Sequence, residues 1–116
     1  MGKARVKPMK VSELAVVTEA AVITCGAGED KVVSGMYACD LLSWVMAHAK
    51  KGDAWITVHT HVNIVAVALL AEVSCIIVPE GIIVEEATVK RAELEGISIL
   101  STSLSTYEIC CRVPAL

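Results

Sequence analysis

From Trp55 to Leu70 the chain reads WITVHTHVNIVAVALL: a β-branched apolar run, a polar knot from His59 to Asn63, then an uninterrupted apolar run. A strand that enters a helix through polar residues leaves those residues at the strand's carboxyl end, beside unpaired helix N–H groups. The alternation occurs three times. Strand 54–58 precedes helix 63–71, strand 75–78 precedes helix 85–95, and strand 97–100 precedes helix 105–111. Such a series implies parallel strands joined by right-handed crossovers. Aromatic residues make up only 3% of the chain and Phe is absent, so Val, Ile, Leu and Ala must fill the core. That composition suits buried parallel strands flanked by helices.

Upstream of the three units the pattern is less regular. Residues 1–10 read as a flexible lead-in to a single domain over 11–116, with Lys3, Arg5, Lys7 and Lys10 forming a short basic arm. Ser12 is placed to cap a helix through Thr18, residues 20–25 read as a strand, and Gly26 to Asp30 as a turn without the P-loop Lys-Ser/Thr ending. Residues 32–38 are extended. Asp40 can cap a helix whose apolar positions Leu41, Leu42, Val45, Met46 and Ala49 share one face, with Gly52 as its terminator and His48 near its negative pole. Gly96 ends the helix of the second unit, and Ser105 to Glu108 has capping-box spacing.

At 116 residues there is room for one core. The apolar fraction is 55% and the mean hydropathy +0.65, more than so small a body can hide, so a homo-oligomer, most simply a dimer, is expected. A net charge of −3 with scattered basic residues offers no track for nucleic acid. The longest apolar run is too short to cross a membrane, and no cleavable signal is visible. Five cysteines, an odd number without a CxxC pair, point to a reduced, cytoplasmic setting.

In a parallel sheet the carboxyl ends share one edge, so His59-Thr60-His61-Val62-Asn63 and Ser101-Thr102-Ser103 should be neighbours there. Hydroxyls, an amide and imidazoles beside helix N-termini suit a phosphate, a carboxylate or the polar edge of a nucleotide. The plainer alternative is that Asn63, Ser103 and Ser105 only cap helices, which leaves two histidines unexplained. His59 and His61 would share a face of an extended strand. As metal ligands they would need a third from Cys39, Asp40 or His48, none at diagnostic spacing. No nucleophile elbow or cofactor fingerprint is present, so no catalytic residue, metal or cofactor is assigned. Tyr107 reads as a packing residue.

Four segments together resemble the small DRTGG domain proteins: 33–47 (VSGMYACDLLSWVMA), 52–61 (GDAWITVHTH), 63–68 (NIVAVA) and 96–102 (GISILST). The likeness extends over about 11–112, and its most specific parts are the Asp-Leu-Leu-Ser and Thr-His-x-Asn-Ile-Val-Ala-Val-Ala blocks. In place of the eponymous signature stand Asp30-Lys31 and Ser34-Gly35, with Val32-Val33 between them and Met36 where a second Gly would fall.

The resemblance implies a three-layer α/β/α fold with a mainly parallel sheet, related to the amino-terminal domain of HPr kinase/phosphorylase. It implies a regulatory or oligomerisation module of the kind found beside CBS domains and before phosphotransacetylases. The functional expectation is a non-enzymatic module that binds a small anionic metabolite or nucleotide and acts through a protein partner. Thr57, His59, Thr60, His61, Asn63, Ser101 and Ser103 would form the ligand edge, with Ser34, Gly35 and Asp40 bordering it. A purely structural interaction domain is the alternative, and a metal-assisted hydrolase using His59 and His61 a third reading.

Overall fold

A computed structural model describes residues 4–116. Its centre is a five-stranded sheet in the order β2-β7-β6-β5-β4, in which β4 (Gly35–Ala38), β5 (Asp53–Ile56), β6 (Cys75–Val78) and β7 (Ser98–Ser101) are parallel. β2 (Ala21–Val22) closes one edge antiparallel to β7. A separate two-stranded ribbon pairs β1 (Met9–Lys10) with β3 (Val32–Val33). The expected three-layer α/β/α architecture is what forms.

Side-chain alternation along the strands explains the layers. Trp55, Ile76 and Ile99 form one cross-strand row and are fully buried. This face packs on Val45 of α2 (Leu42–His48), Ile64, Val65 and Ala68 of α3 (Asn63–Ala71), and Ala92 of α4 (Glu86–Glu95). The row one residue on, Ile56, Ile77 and Leu100, points the other way. It meets Val11 and Leu14 of α1 (Val11–Val17) and Ile109 of α5 (Thr106–Arg112). β5, β6 and β7 are buried on both faces, so the centre of the sheet is a covered middle layer, while β2 and β4 at its edges stay partly exposed.

The helices and strands of the three βα units agree with the sequence reading to within about two residues, and the boundaries upstream differ for physical reasons. Ser12 does not cap α1. The amides of Val11 and Ser12 donate to the carbonyls of Lys31 (2.9 Å) and Glu29 (3.0 Å), so a neighbouring loop satisfies the helix start. The strand expected over 20–25 shortens because, after Ile23 donates to the Ile99 carbonyl, the Ile99 amide turns to the Thr24 hydroxyl (3.1 Å). Helix α2 stops in an extended residue, Ala49, and Gly52 serves the turn into β5 with φ +88° instead of ending the helix. Gly96 does terminate α4 in the left-handed conformation, φ +74°. Ser105 caps α5 reciprocally: Glu108 N–H donates to its hydroxyl, and its own N–H donates to the Glu108 carboxylate (2.9 Å).

Residues 4–10 are not a lead-in but part of the fold, whereas Lys3 and the two residues before it lie outside the described residues. Val6 is buried and bridges Ala115, the Leu116 amide donates to the Arg5 carbonyl (2.9 Å), and the Arg5 guanidinium pairs with the Asp53 carboxylate. Asp53 is completely buried at the start of β5 and also accepts the Lys50 amide (2.8 Å). A Cβ on Gly35 would run into both charged groups of this pair, which is why the β4 start is glycine.

Arg5→Met leaves the Asp53 carboxylate buried with one partner fewer. The expected loss, read by urea denaturation, is about 2 kcal/mol, below the full cost of breaking a buried pair because Arg5 is 39% exposed. Adding Asp53→Asn should return part of it. The Glu108 carboxyl is held below its ordinary range by the Ser105 backbone N–H, then by the Ser105 hydroxyl. Its stabilising contribution is therefore complete above the unfolded-state value and is lost as pH falls through the lower folded value. Stability curves of wild type and Glu108→Gln should converge in that acid window and separate above it.

Candidate functional site

The carboxyl edge of β4 and β5 is organised by Asp40. One carboxylate oxygen of Asp40 accepts the Thr57 hydroxyl (2.8 Å) and the Val58 amide (2.9 Å), tying the end of β4 to the end of β5. Its carbonyl lies 2.5 Å from His59 Nε2, while the Thr57 hydroxyl accepts the His59 amide (3.3 Å). Asp40 is thus not the cap of α2, which begins after Leu41 with no side-chain cap. The Trp55 indole N–H donates to the Cys39 carbonyl (2.9 Å), fixing the same corner from the core side.

His59 and His61 do not share a strand face, because β5 ends at Ile56 and the chain has already turned. His61 Nδ1 instead accepts the Asn63 amide (3.2 Å) at the start of α3. That nitrogen must be unprotonated to do so. Asn63 is the first helical residue, preceded by Val62 in helical conformation, and its side chain caps nothing. Thr60 faces α4: its carbonyl accepts the Thr88 hydroxyl (2.6 Å) and its own hydroxyl lies 3.5 Å from a Glu85 carboxylate oxygen. Among the described residues no group of three or more His, Cys, Asp and Glu is arranged to hold a metal.

Ser101 and Ser103 lie on the same sheet edge, yet β6 separates β7 from β5, two strand spacings or about 10 Å. The loop after β6 fills the gap. The amides of Glu80 and Gly81 donate to the carbonyls of Leu104 and Thr102 (2.9 Å each). Buried Thr102 works inward, its hydroxyl donating to the Thr18 carbonyl (2.8 Å) behind α1. The rim is therefore shared, but its two polar groups belong to separate hydrogen-bond networks. Ser103 is exposed and caps no helix, since α5 takes its cap from Ser105.

Ser34 and Gly35 do not border this rim. Gly35 opens β4 opposite Asp53 and the Ser34 amide donates to the Gly52 carbonyl (2.9 Å), so both sit at the amino-terminal edge. A strand's two ends are on opposite sides of the sheet, and Ser34-Gly35 and Asp40 flank the same strand. A cleft of about 490 Å³ opens at that amino-terminal edge, with Lys31, Lys51, Glu72 and Ser74 among the residues around it. The sequence reading placed Lys51 among scattered basic residues and Lys31 in the signature segment, with nothing to join them. They share one cleft only because the β3 ribbon and the turn before β5 fold over the end of α3, which no local spacing announces.

The thiol of Cys75 is pushed up to about 12 by burial in the sheet. It is a core group, whereas Cys25, Cys110 and Cys111 are exposed.

The sequence matches the family described as "DRTGG domain" over residues 13–116. The chain belongs to the DRTGG domain family. Among solved structures, this DRTGG domain is similar to the crystal structure of the CBS and DRTGG domains of the regulatory region of Clostridium perfringens pyrophosphatase, complexed with its activator diadenosine tetraphosphate. The TM-score is 0.70 at 18% identity, over 90% of this chain and 47% of that one. The DRTGG chain thus spans about half the length of that neighbour, and at this identity the likeness speaks for the fold. Among curated proteins none matches it.

Asp40→Ala should cost about 1–3 kcal/mol by leaving the buried Thr57 hydroxyl and the Val58 amide without an acceptor, and Asp40→Asn less. Thermal unfolding of the two variants beside wild type checks the order.

Proposed function

We propose that this DRTGG domain is a non-catalytic regulatory module that binds a small anionic metabolite or nucleotide and passes the binding state to a protein partner. The observation that carries the reading is the fold shared with a regulatory region whose crystal structure holds a nucleotide activator. The carboxyl rim supplies supporting chemistry. Asp40, Thr57 and His59 brace one another through one Asp40 carboxylate oxygen, the Thr57 hydroxyl and His59 Nε2. Thr60, His61, Asn63, Ser101 and Ser103 are the residues there for which a ligand contact is proposed, His61, Asn63 and Ser103 being exposed.

Self-association belongs to the same reading. Leu70 (73%), Ile83 (89%) and Leu94 (82%) are left to solvent in the single chain, and Trp44, stacked on His48, is half exposed. A dimer in the cytoplasm, where five free cysteines stay reduced, accounts for them. No helix among the described residues is long and apolar enough to cross a membrane.

A thermal-shift panel of nucleotides and acyl phosphates tests the proposal. A true ligand at a hundred times its dissociation constant should add about 2.7 kcal/mol of stability. A panel without a single stabilising compound, together with a stable dimer by light scattering, would instead support a purely structural interaction domain.

A further inference from the structure

Two cations line one cleft at the edge of the sheet opposite the rim, and neither is held in an ion pair. Lys31 precedes β3, Lys51 lies in the turn before β5, and both line the 490 Å³ cleft. Among the described residues the ion pairs engage Arg5, Lys90, Arg91 and Arg112, and no carboxylate approaches Lys31 or Lys51 closely enough to pair. The opposing wall is aliphatic: Ala68 and Leu69 from the last turns of α3, then Val73 and Ile97. A cavity of that size with an apolar wall and a few convergent charges falls within the range that small molecules occupy, about 300–1,000 Å³.

We propose that this cleft is a second ligand site, distinct from the carboxyl rim, that takes a phosphate monoester on an apolar-faced body, of the nucleoside monophosphate type. The charge count sets the class. Two lysines and one carboxylate, Glu72, line the cleft beside the carboxyl pole of α3, worth about half a negative charge. Part of that pole is already neutralised, since the Glu72 amide donates to the carbonyls of Ala68 and Leu69 and the Gly52 amide takes the Glu72 carbonyl (3.0 Å). What remains is at most about one positive charge against the roughly two negative charges of a phosphate monoester, so a triphosphate would stay still further from compensation. Lysine suits the role, acting on phosphate as a mobile point charge without needing a fixed bidentate geometry. The Ser74 hydroxyl is spent on the Val32 carbonyl (2.5 Å), so it shapes the floor and leaves recognition to the lysines and the aliphatic wall.

The test is NMR titration of the whole chain with adenosine monophosphate, inorganic phosphate and adenosine triphosphate. Adenosine monophosphate should shift amides in 31–32, 51–52 and 68–74, inorganic phosphate should bind more weakly at the same place, and the triphosphate should bind no tighter. Lys31→Gln with Lys51→Gln should weaken adenosine monophosphate about tenfold or more without changing Tm, and Leu69→Trp, which fills the cleft, should do the same. Shifts confined to 57–63 and 101–103 would overturn the cleft site while leaving the regulatory reading in place. Unchanged binding in the lysine pair, a tighter triphosphate, or no binding of any of the three would overturn it as well.

Discussion

A parallel sheet covered on both faces has no solvent side on which to put polar residues, and this requirement governs the rest of the molecule. Ile76 and Val78 serve one core while Cys75 and Ile77 serve the other, so β6 is buried along its whole length. With the faces closed, polar chemistry is pushed to the two strand-end edges and to the outer helix surfaces. Both places where this DRTGG domain collects uncommitted polar groups, the rim beyond β5 and β7 and the cleft before β5, are such edges.

The edges are closed by different means. At the carboxyl side hydrogen bonds from neutral donors to the Asp40 carboxylate splice β4 to β5. At the amino side a charged pair, Arg5 with Asp53, fastens the N-terminal segment across the entrance to the same two strands. The second device carries the larger penalty if half of it is lost, because Asp53 has no access to water. It also dictates a residue with no side chain at position 35. The segment aligned with the family's signature thus has a structural task at the amino edge, whatever else it touches.

What could be read from the sequence was whatever local chemistry decides. Apolar runs of the right period, Gly96 as a helix stop and Ser105 with Glu108 as a helix start place the βα units, and the composition signals a doubly buried sheet. What could not be read was set by partners distant in the chain. Ser12 looks like a cap until the carbonyls of Glu29 and Lys31 arrive first, and Asp40 looks like one until Thr57 and Val58 take its carboxylate. A basic arm is indistinguishable from a solvated tail unless Asp53 is known to be buried beneath it. The same limit applied to the sites. Parallel strands put Thr57 to Asn63 and Ser101 to Ser103 on one edge, but the strand order that inserts β6 between them is a tertiary fact.

The bridge between Val6 and Ala115, continued by the Leu116 amide on the Arg5 carbonyl, brings the two extremities of the described chain side by side. A polypeptide built this way has its entrance and its exit at a single doorway. It can be threaded into a loop of another protein without prising that loop apart, or reconnected end to end and reopened elsewhere, with every layer of the sandwich intact. Motion of a segment joined there would pull directly on Arg5, and through it on the first residue of β5.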